Sequence, residues 1–217
     1  MKPLPAYHPP TDPWLDVLYE DEALVVLNKP AGLLSVPGNV SRDSLETRAA
    51  ERFGDTLVAH RLDMATSGVI VMPRGKSNLA AIGLQFEKRQ TEKRYIAEVW
   101  GNVTEDKGTV DMPIRCDWPN RPLQMICHER GRPAVTHWDV IDRKEGRTRL
   151  TLTPVTGRSH QLRLHMKVIG HSILGDEWYA EGEARAASPR LLLHAESLTF
   201  THPVTGDRMT ITAPCPF

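Results

Sequence analysis

Short apolar runs rich in β-branched and aromatic side chains, each closed by Gly, Pro, Asn or Asp, constrain this chain more than any other feature. Val17-Leu18-Tyr19 and Leu24-Val25-Val26-Leu27, parted by the acidic turn Glu20-Asp21-Glu22, predict a hairpin. Further strands are predicted at 69–72, 95–100, 135–141 and 150–154, and another opens at Leu191-Leu192-Leu193. The segment 197–212 reads as a hairpin turning at Pro203-Val204-Thr205-Gly206. Helical periodicity is confined to three places. Asp43 with Glu46 three residues on predicts a capping box and a helix carrying Leu45, Ala49 and Phe53 on one face, ending at Gly54. A second helix is expected from Ser77 to Lys88, with Leu79, Ile82 and Phe86 in phase, and a third from His160 to Ile169. The segment 102–146 is interrupted by prolines and by Gly108, Gly131 and Gly146. Strands outnumber helices and do not alternate with them regularly, so the expected class is α+β, a mostly antiparallel mixed sheet with flanking helices.

A chain of 217 residues is near the upper end of ordinary domain size. One domain over 17–217 is expected, after an irregular, proline-held arm over 1–16. No segment approaches the roughly 20 apolar residues needed to cross a bilayer. The opening residues MKPLPAYHPPTDPW lack the apolar core of a secretory signal. A cytoplasmic protein with no membrane partner is therefore expected. Cys116, Cys127 and Cys215 form no CxxC pair, His160 and His165 stand five apart, and no HExxH, GxxxxGK[ST] or GxGxxG occurs. Neither a metal nor a small-molecule cofactor is expected. Lys plus Arg equals Asp plus Glu at 27 each, so a polyanionic partner has to be held by a local basic face. Lys88-Arg89, Lys93-Arg94 and Arg158 with Arg163 and Lys167 are the candidates.

The chemistry-bearing stretch is His60-Arg61-Leu62-Asp63-Met64-Ala65-Thr66-Ser67-Gly68, a loop just ahead of an apolar strand. Taken alone, Asp63 is either a reactive carboxylate or one that accepts turn amides or pairs with Arg61. The whole string HRLDMATSGVIVM resembles the signature of the RluA family of pseudouridine synthases. Three further stretches resemble that family in the same order: Asn28-Lys29-Pro30-Ala31-Gly32-Leu33, then Lys93-Arg94-Tyr95-Ile96-Ala97 with Gly101, then Thr156-Gly157-Arg158-Ser159-His160-Gln161-Leu162-Arg163. Gly175-Asp176 and Tyr179 continue the pattern, which covers nearly the whole chain.

The resemblance implies the pseudouridine synthase catalytic fold and an isomerase acting on RNA without a cofactor. It makes Asp63 the nucleophile, Tyr95 the ring that stacks on the target uracil, and Arg163 the cation that keeps Asp63 ionised. The reaction breaks the N1–C1′ bond and joins C5 to C1′. Attack by Asp63 at C6, attack at C1′ or proton removal at C2′ all require a carboxylate, which a nearby cation favours in a dry site. A stacked uridine has to be flipped out to be reached. Arg61 is a candidate to fill the vacated space, His60 and Thr66 are assigned to the substrate with it, and Leu164 is either pocket wall or core. The run Cys116-Asp117-Trp118-Pro119-Asn120-Arg121-Pro122 resembles members acting on stem-loops of both large-subunit (23S) rRNA and tRNA, the anticodon stem-loop included. No separate RNA-binding domain precedes the first motif, so contacts are expected to be confined to nucleotides near the target; a monomer is expected, although nothing in the residues fixes the oligomeric state. Ser159 and Met72-Pro73-Arg74 depart mildly from the family pattern. Two rivals are a noncatalytic RNA-binding module, which needs no Asp63–Tyr95–Arg163 set, and a hydrolase using Asp63 with His60, which lacks a G-x-S-x-G elbow.

Overall fold

The computed structural model describes residues 7–39 and 41–217. In chain order the elements begin with β1 (Val17–Glu20), β2 (Leu24–Lys29), α1 (Leu45–Phe53), β3 (Ser67–Pro73), α2 (Gly75–Glu87) and β4 (Glu92–Trp100). There follow β5 (Lys107–Asp111), β6 (Ile114–Cys116), β7 (Gln124–Ile126), β8 (Val135–Lys144) and β9 (Arg147–Pro154). Helices α3 (Gln161–Val168) and α4 (Gly182–Ala186) precede β10 (Leu193–Thr201) and β11 (Arg208–Thr212). The expected α+β class with mostly antiparallel pairing is what forms. The described chain packs as two compact units, one of residues 7–93 with 194–216 and one of residues 94–193 with Phe217.

In the first unit β1, β2 and β3 pair antiparallel, β10 joins β3 in parallel, and β11 folds back on β10. β3 is buried along its whole length, as its unbroken apolar run requires. Alternate residues Leu24 and Val26 of β2 and Val69 and Val71 of β3 share a core with Ile82, Leu198, Phe200 and Ala213. Gly68 decides the β3–β10 pairing. Its φ is +117°, and a Cβ there would stand 2.1 Å from the Ala195 carbonyl oxygen, so only glycine admits β10 at this point. On α2, the Gln85 amide exchanges two hydrogen bonds with the Thr201 backbone (2.8 and 2.7 Å).

The first helix starts with a different cap from the expected Asp43–Glu46 box. Ser44 Oγ accepts from the Thr47 N–H (3.2 Å) and Thr47 Oγ1 accepts from the Ser44 N–H (2.9 Å). Asp43 is instead claimed by buried Arg48 in a bidentate pair of 2.7 and 2.8 Å. Arg48 also donates to the carbonyls of Pro10 and Trp14 and lies 4.0 Å over the Trp14 ring. The described part of the N-terminal arm is therefore tied to α1 by an arginine as well as stiffened by its prolines.

The second unit carries the antiparallel order β4–β9–β8–β5, and β6 and β7 form a separate hairpin. Buried Glu98 sits between Arg147 (3.2 Å) and Arg149 (3.3 Å), and Arg149 donates to the Phe217 carbonyl. The β6–β7 hairpin and α4 lie where sequence periodicity is too short to announce them. Leu191 and Leu192 are loop rather than strand, although buried: Leu192 bonds through its N–H to Leu174 and through its carbonyl to Glu98. Among the described residues no helix is long and apolar enough to cross a membrane.

Candidate active site

In the first unit the loop ahead of β3 is fixed on both sides of Asp63. Ser35 Oγ donates to the Leu62 carbonyl (2.7 Å) and accepts from the Leu62 N–H (3.1 Å). Beyond Asp63, the Met64 carbonyl accepts from the Gly32 N–H (2.8 Å) and from the Lys29 ammonium (3.0 Å). Lys29 has no exposed surface, and it also donates to the carbonyls of Pro30 (2.9 Å) and Leu33 (2.7 Å). Three carbonyls match three ammonium protons, which is how a cation survives away from water. Thr66, itself buried, closes a turn by donating its N–H to the Asp63 carbonyl (3.0 Å). Asp63 is half-buried, on a backbone that its neighbours hold from both directions.

His60 pins the start of this loop to the sheet. Its Nε2 accepts from the Val71 N–H (3.1 Å), so the proton of the neutral ring is on Nδ1, and the ring stacks on Phe86 at 4.4 Å. Burial, with the Lys93 cation adding to it, pushes the His60 pKa down to about 3. Its lone pair is engaged by Val71, which leaves the Asp63–His60 hydrolase pairing without an available base. Arg61, in contrast, is exposed. Lys93 is lowered to about 8 by burial and then by Arg89, and still carries its charge at pH 7.

In the second unit Tyr95 is a half-buried residue near the start of β4, paired in register with Leu152 of β9. Arg163 lies on α3, a helix whose residues Gln161 to Met166 are all buried. Helix α3 is aimed by Gln161, whose amide binds Val135, Thr136, Thr156 and the Arg158 N–H. Only 4% of Arg163 is exposed, and its Nε and Nη2 make a bidentate pair with Asp176 at 2.7 and 2.6 Å. Asp176 also accepts from the N–H groups of Trp178 (2.9 Å) and Tyr179 (3.0 Å). The guanidinium carbon lies 4.9 Å from the Trp178 ring centre and 5.3 Å from that of Tyr179. Leu164 belongs to a core cluster with Ile114, Ala134 and Tyr179.

Of the residues singled out in the sequence, His60, Arg61, Asp63 and Thr66 share one loop of the first unit, whereas Tyr95, Arg163 and Leu164 belong to the second. Three supporting groups were missed. Lys29 and Asp176 sit inside recognised stretches that carry no local hint of their partners. Ser35 has no signal at all, because one hydroxyl in an ordinary loop gains its role only through Leu62, 27 residues away. Among the described residues no group of three or more His, Cys, Asp or Glu is placed to hold a metal ion.

A family model described as RNA pseudouridylate synthase matches residues 23–167, which include both the anchored Asp63 loop and buried Arg163. The chain belongs to the RNA pseudouridylate synthase family. It is an isomerase that rearranges uridine in RNA. The chain is 51% identical over 214 residues to the dual-specificity RNA pseudouridine synthase RluA of Escherichia coli (strain K12), covering 97% of this chain and 98% of that one. It is 52% identical over 215 residues to the protein of the same name from Pasteurella multocida, covering 98% of each. Among solved structures, human RNA pseudouridylate synthase domain containing 1 superposes with a TM-score of 0.81 at 26% identity, over 100% of this chain and 87% of that one. Human RNA pseudouridylate synthase domain containing 4 gives 0.75 at 27% identity, over 93% and 88%.

Proposed function

We propose that this pseudouridine synthase acts on uridines in stem-loops of both large-subunit ribosomal RNA and transfer RNA, with Asp63 as its nucleophile. The observation that carries the dual substrate is the identity of about half the residues, along nearly the full length, with proteins named dual-specificity RNA synthases. What supports Asp63 is its loop, where Ser35 on one side and Lys29 with Gly32 on the other hold the backbone so that the carboxylate need not be organised during the reaction. Arg163 supplies positive charge to keep that carboxylate ionised, and Tyr95 stacks on the uracil after its N1–C1′ bond has broken. The detached base turns, C5 joins C1′, the C5 proton leaves and N1 gains one, so no cofactor is consumed. Exposed Arg61 fills the gap left by the flipped uridine, and the loop's His60 and Thr66 keep it in place for the substrate. The enzyme works as a cytoplasmic monomer.

Tritium release from RNA labelled at uridine C5 tests this reading. The parent releases tritium from both a 23S rRNA fragment and an anticodon stem-loop, and Asp63→Asn abolishes release while RNA binding stays within about tenfold, since phosphate contacts supply most affinity. Turnover by Asp63→Asn at a tenth of the parent rate or more would remove Asp63 from the chemistry. Arg163→Lys, which keeps charge but loses the planar fork, is expected to retain partial activity, and Arg163→Met little. Tyr95→Phe that is as fast as the parent would confine the ring to a stacking platform.

A further inference from the structure

The tip of the β6–β7 hairpin, residues 117–123, has no part in the roles of Asp63, Tyr95 and Arg163. Its backbone is wound by its own bonds. Asn120 N–H donates to the Asp117 carbonyl (2.9 Å), Leu123 N–H to the Asn120 carbonyl (3.1 Å) and Asp117 N–H to the Leu123 carbonyl (2.9 Å). The Asn120 amide adds a bond to the Asp117 carboxylate (3.0 Å). On this well-defined turn Trp118 is 65% exposed, and the Arg121 guanidinium lies over its ring at 4.1 Å. A cation stacked on an exposed indole stabilises the turn only weakly, which does not account for presenting so large an apolar ring to solvent.

Charge distinguishes the kind of partner. Residues 112–134 hold four arginines (Arg115, Arg121, Arg130, Arg132) against two carboxylates (Asp117, Glu129), in a chain whose charges cancel as a whole. Arg121, Arg130 and Arg132 are exposed. An aromatic face interleaved with exposed arginines is the pattern that binds unpaired nucleobases and their phosphates, and it is a poor match to an apolar protein surface. The root of the hairpin adds a second observation. Gln124 N–H donates to Tyr179 Oη (2.8 Å), Tyr179 also bonds His160 Nδ1 (2.8 Å), and Leu123 and Ile126 pack on the cluster of Ile114, Ala134, Leu164 and Tyr179. Tyr179 is one of the two rings beside the Arg163 guanidinium. The tip is thus built on the same packed group that holds the proposed catalytic arginine, in the same compact unit.

We propose that Trp118 and Arg121 form an RNA-docking platform: an unpaired base of the substrate loop, other than the target uridine, stacks on the free face of Trp118 while Arg121 neutralises an adjacent phosphate. The platform acts in binding and not in bond rearrangement. This rests on the stem-loop substrate proposed above. It also gives the Cys116-to-Pro122 run a physical use in substrate choice, since only loops able to offer such a base at the right distance would be docked well.

The test is a kcat and KM comparison on an anticodon stem-loop and a 23S rRNA fragment for the parent, Trp118→Ala, Trp118→Phe and Arg121→Ala. Trp118→Ala is expected to raise KM about tenfold or more with kcat within twofold, and Trp118→Phe to recover most of the loss, in line with base–aromatic stacking. Arg121→Ala should lower the salt dependence of binding by about one phosphate contact. Quenching of Trp fluorescence on RNA addition, present in the parent and reduced in Trp118→Phe, would support stacking directly. If the parent is active and Trp118→Ala keeps kcat/KM within twofold on both RNAs, the platform is overturned while the stem-loop reading stands. A parent inactive on both RNAs would instead remove the reading on which the platform rests. Concentration-dependent self-association that Trp118→Ala abolishes, with RNA kinetics unchanged, would reassign the ring to a protein contact and also overturn the proposal.

Discussion

Removing the carboxylate of Asp176 is expected to destabilise the protein far more than an ordinary surface change, because it leaves the Arg163 cation buried without its bidentate partner. Breaking a buried pair by deleting one member costs about 3–5 kcal/mol, against a total stability on the order of 5–15 kcal/mol for a native domain. The Trp178 and Tyr179 N–H groups lose their acceptor in the same step. Asp176→Asn keeps an oxygen for those two donors and should recover about 1–3 kcal/mol of the loss seen in Asp176→Ala. Arg163→Met made in the Asp176→Ala background removes the buried cation that has lost its bidentate partner, so the double variant should be more stable than Asp176→Ala alone. Urea unfolding followed by circular dichroism measures all of these, and the cycle isolates the pair. A loss below about 1 kcal/mol in Asp176→Ala, or strict additivity of the two substitutions, would refute the view that Arg163 is held by this carboxylate.

Lys29→Met should remove the ammonium donor of the Pro30, Leu33 and Met64 carbonyls, of which Met64 keeps the Gly32 N–H, and loosen the far side of the Asp63 loop, lowering kcat by about tenfold or more by misplacement of the carboxylate; unchanged kcat in a folded variant would show that the loop does not depend on Lys29. Gly68→Ala sets a Cβ against the Ala195 backbone at a positive φ and should cost more than about 3 kcal/mol, so a soluble variant with a Tm within 3 °C of the parent, a shift of roughly 1 kcal/mol, would contradict the β3–β10 packing. His60 has a folded pKa of about 3, below its usual 6.5, so its contribution is complete above pH 6.5 and falls away as pH drops toward 3, by at most about 1.4 kcal/mol per pH unit. An NMR titration of the imidazole C2 proton with a midpoint above pH 5 would disprove its burial against Phe86 and Val71.

Local pattern determined much of this protein. The apolar runs of β2 and β3, the helix ending at Gly54 and the hairpin turning at 203–206 are written in side-chain alternation and in turn residues, because those signals act within a few positions. The likeness of HRLDMATSGVIVM to one family pointed to Asp63 before any contact was visible. Tertiary structure decided what no window contains. Asp43 reads as a cap until Arg48 takes its carboxylate, leaving Ser44 and Thr47 to start the helix. Taken alone, without the family resemblance, Arg163 is indistinguishable from a surface cation; the structure buries it on α3 against Asp176, Trp178 and Tyr179. The anchor of the Asp63 loop comes from Ser35, 27 residues from Leu62, and from Lys29, 35 residues from Met64. Such roles depend on which distant carbonyls and charges a side chain meets when water is excluded, and folding alone brings those partners within reach.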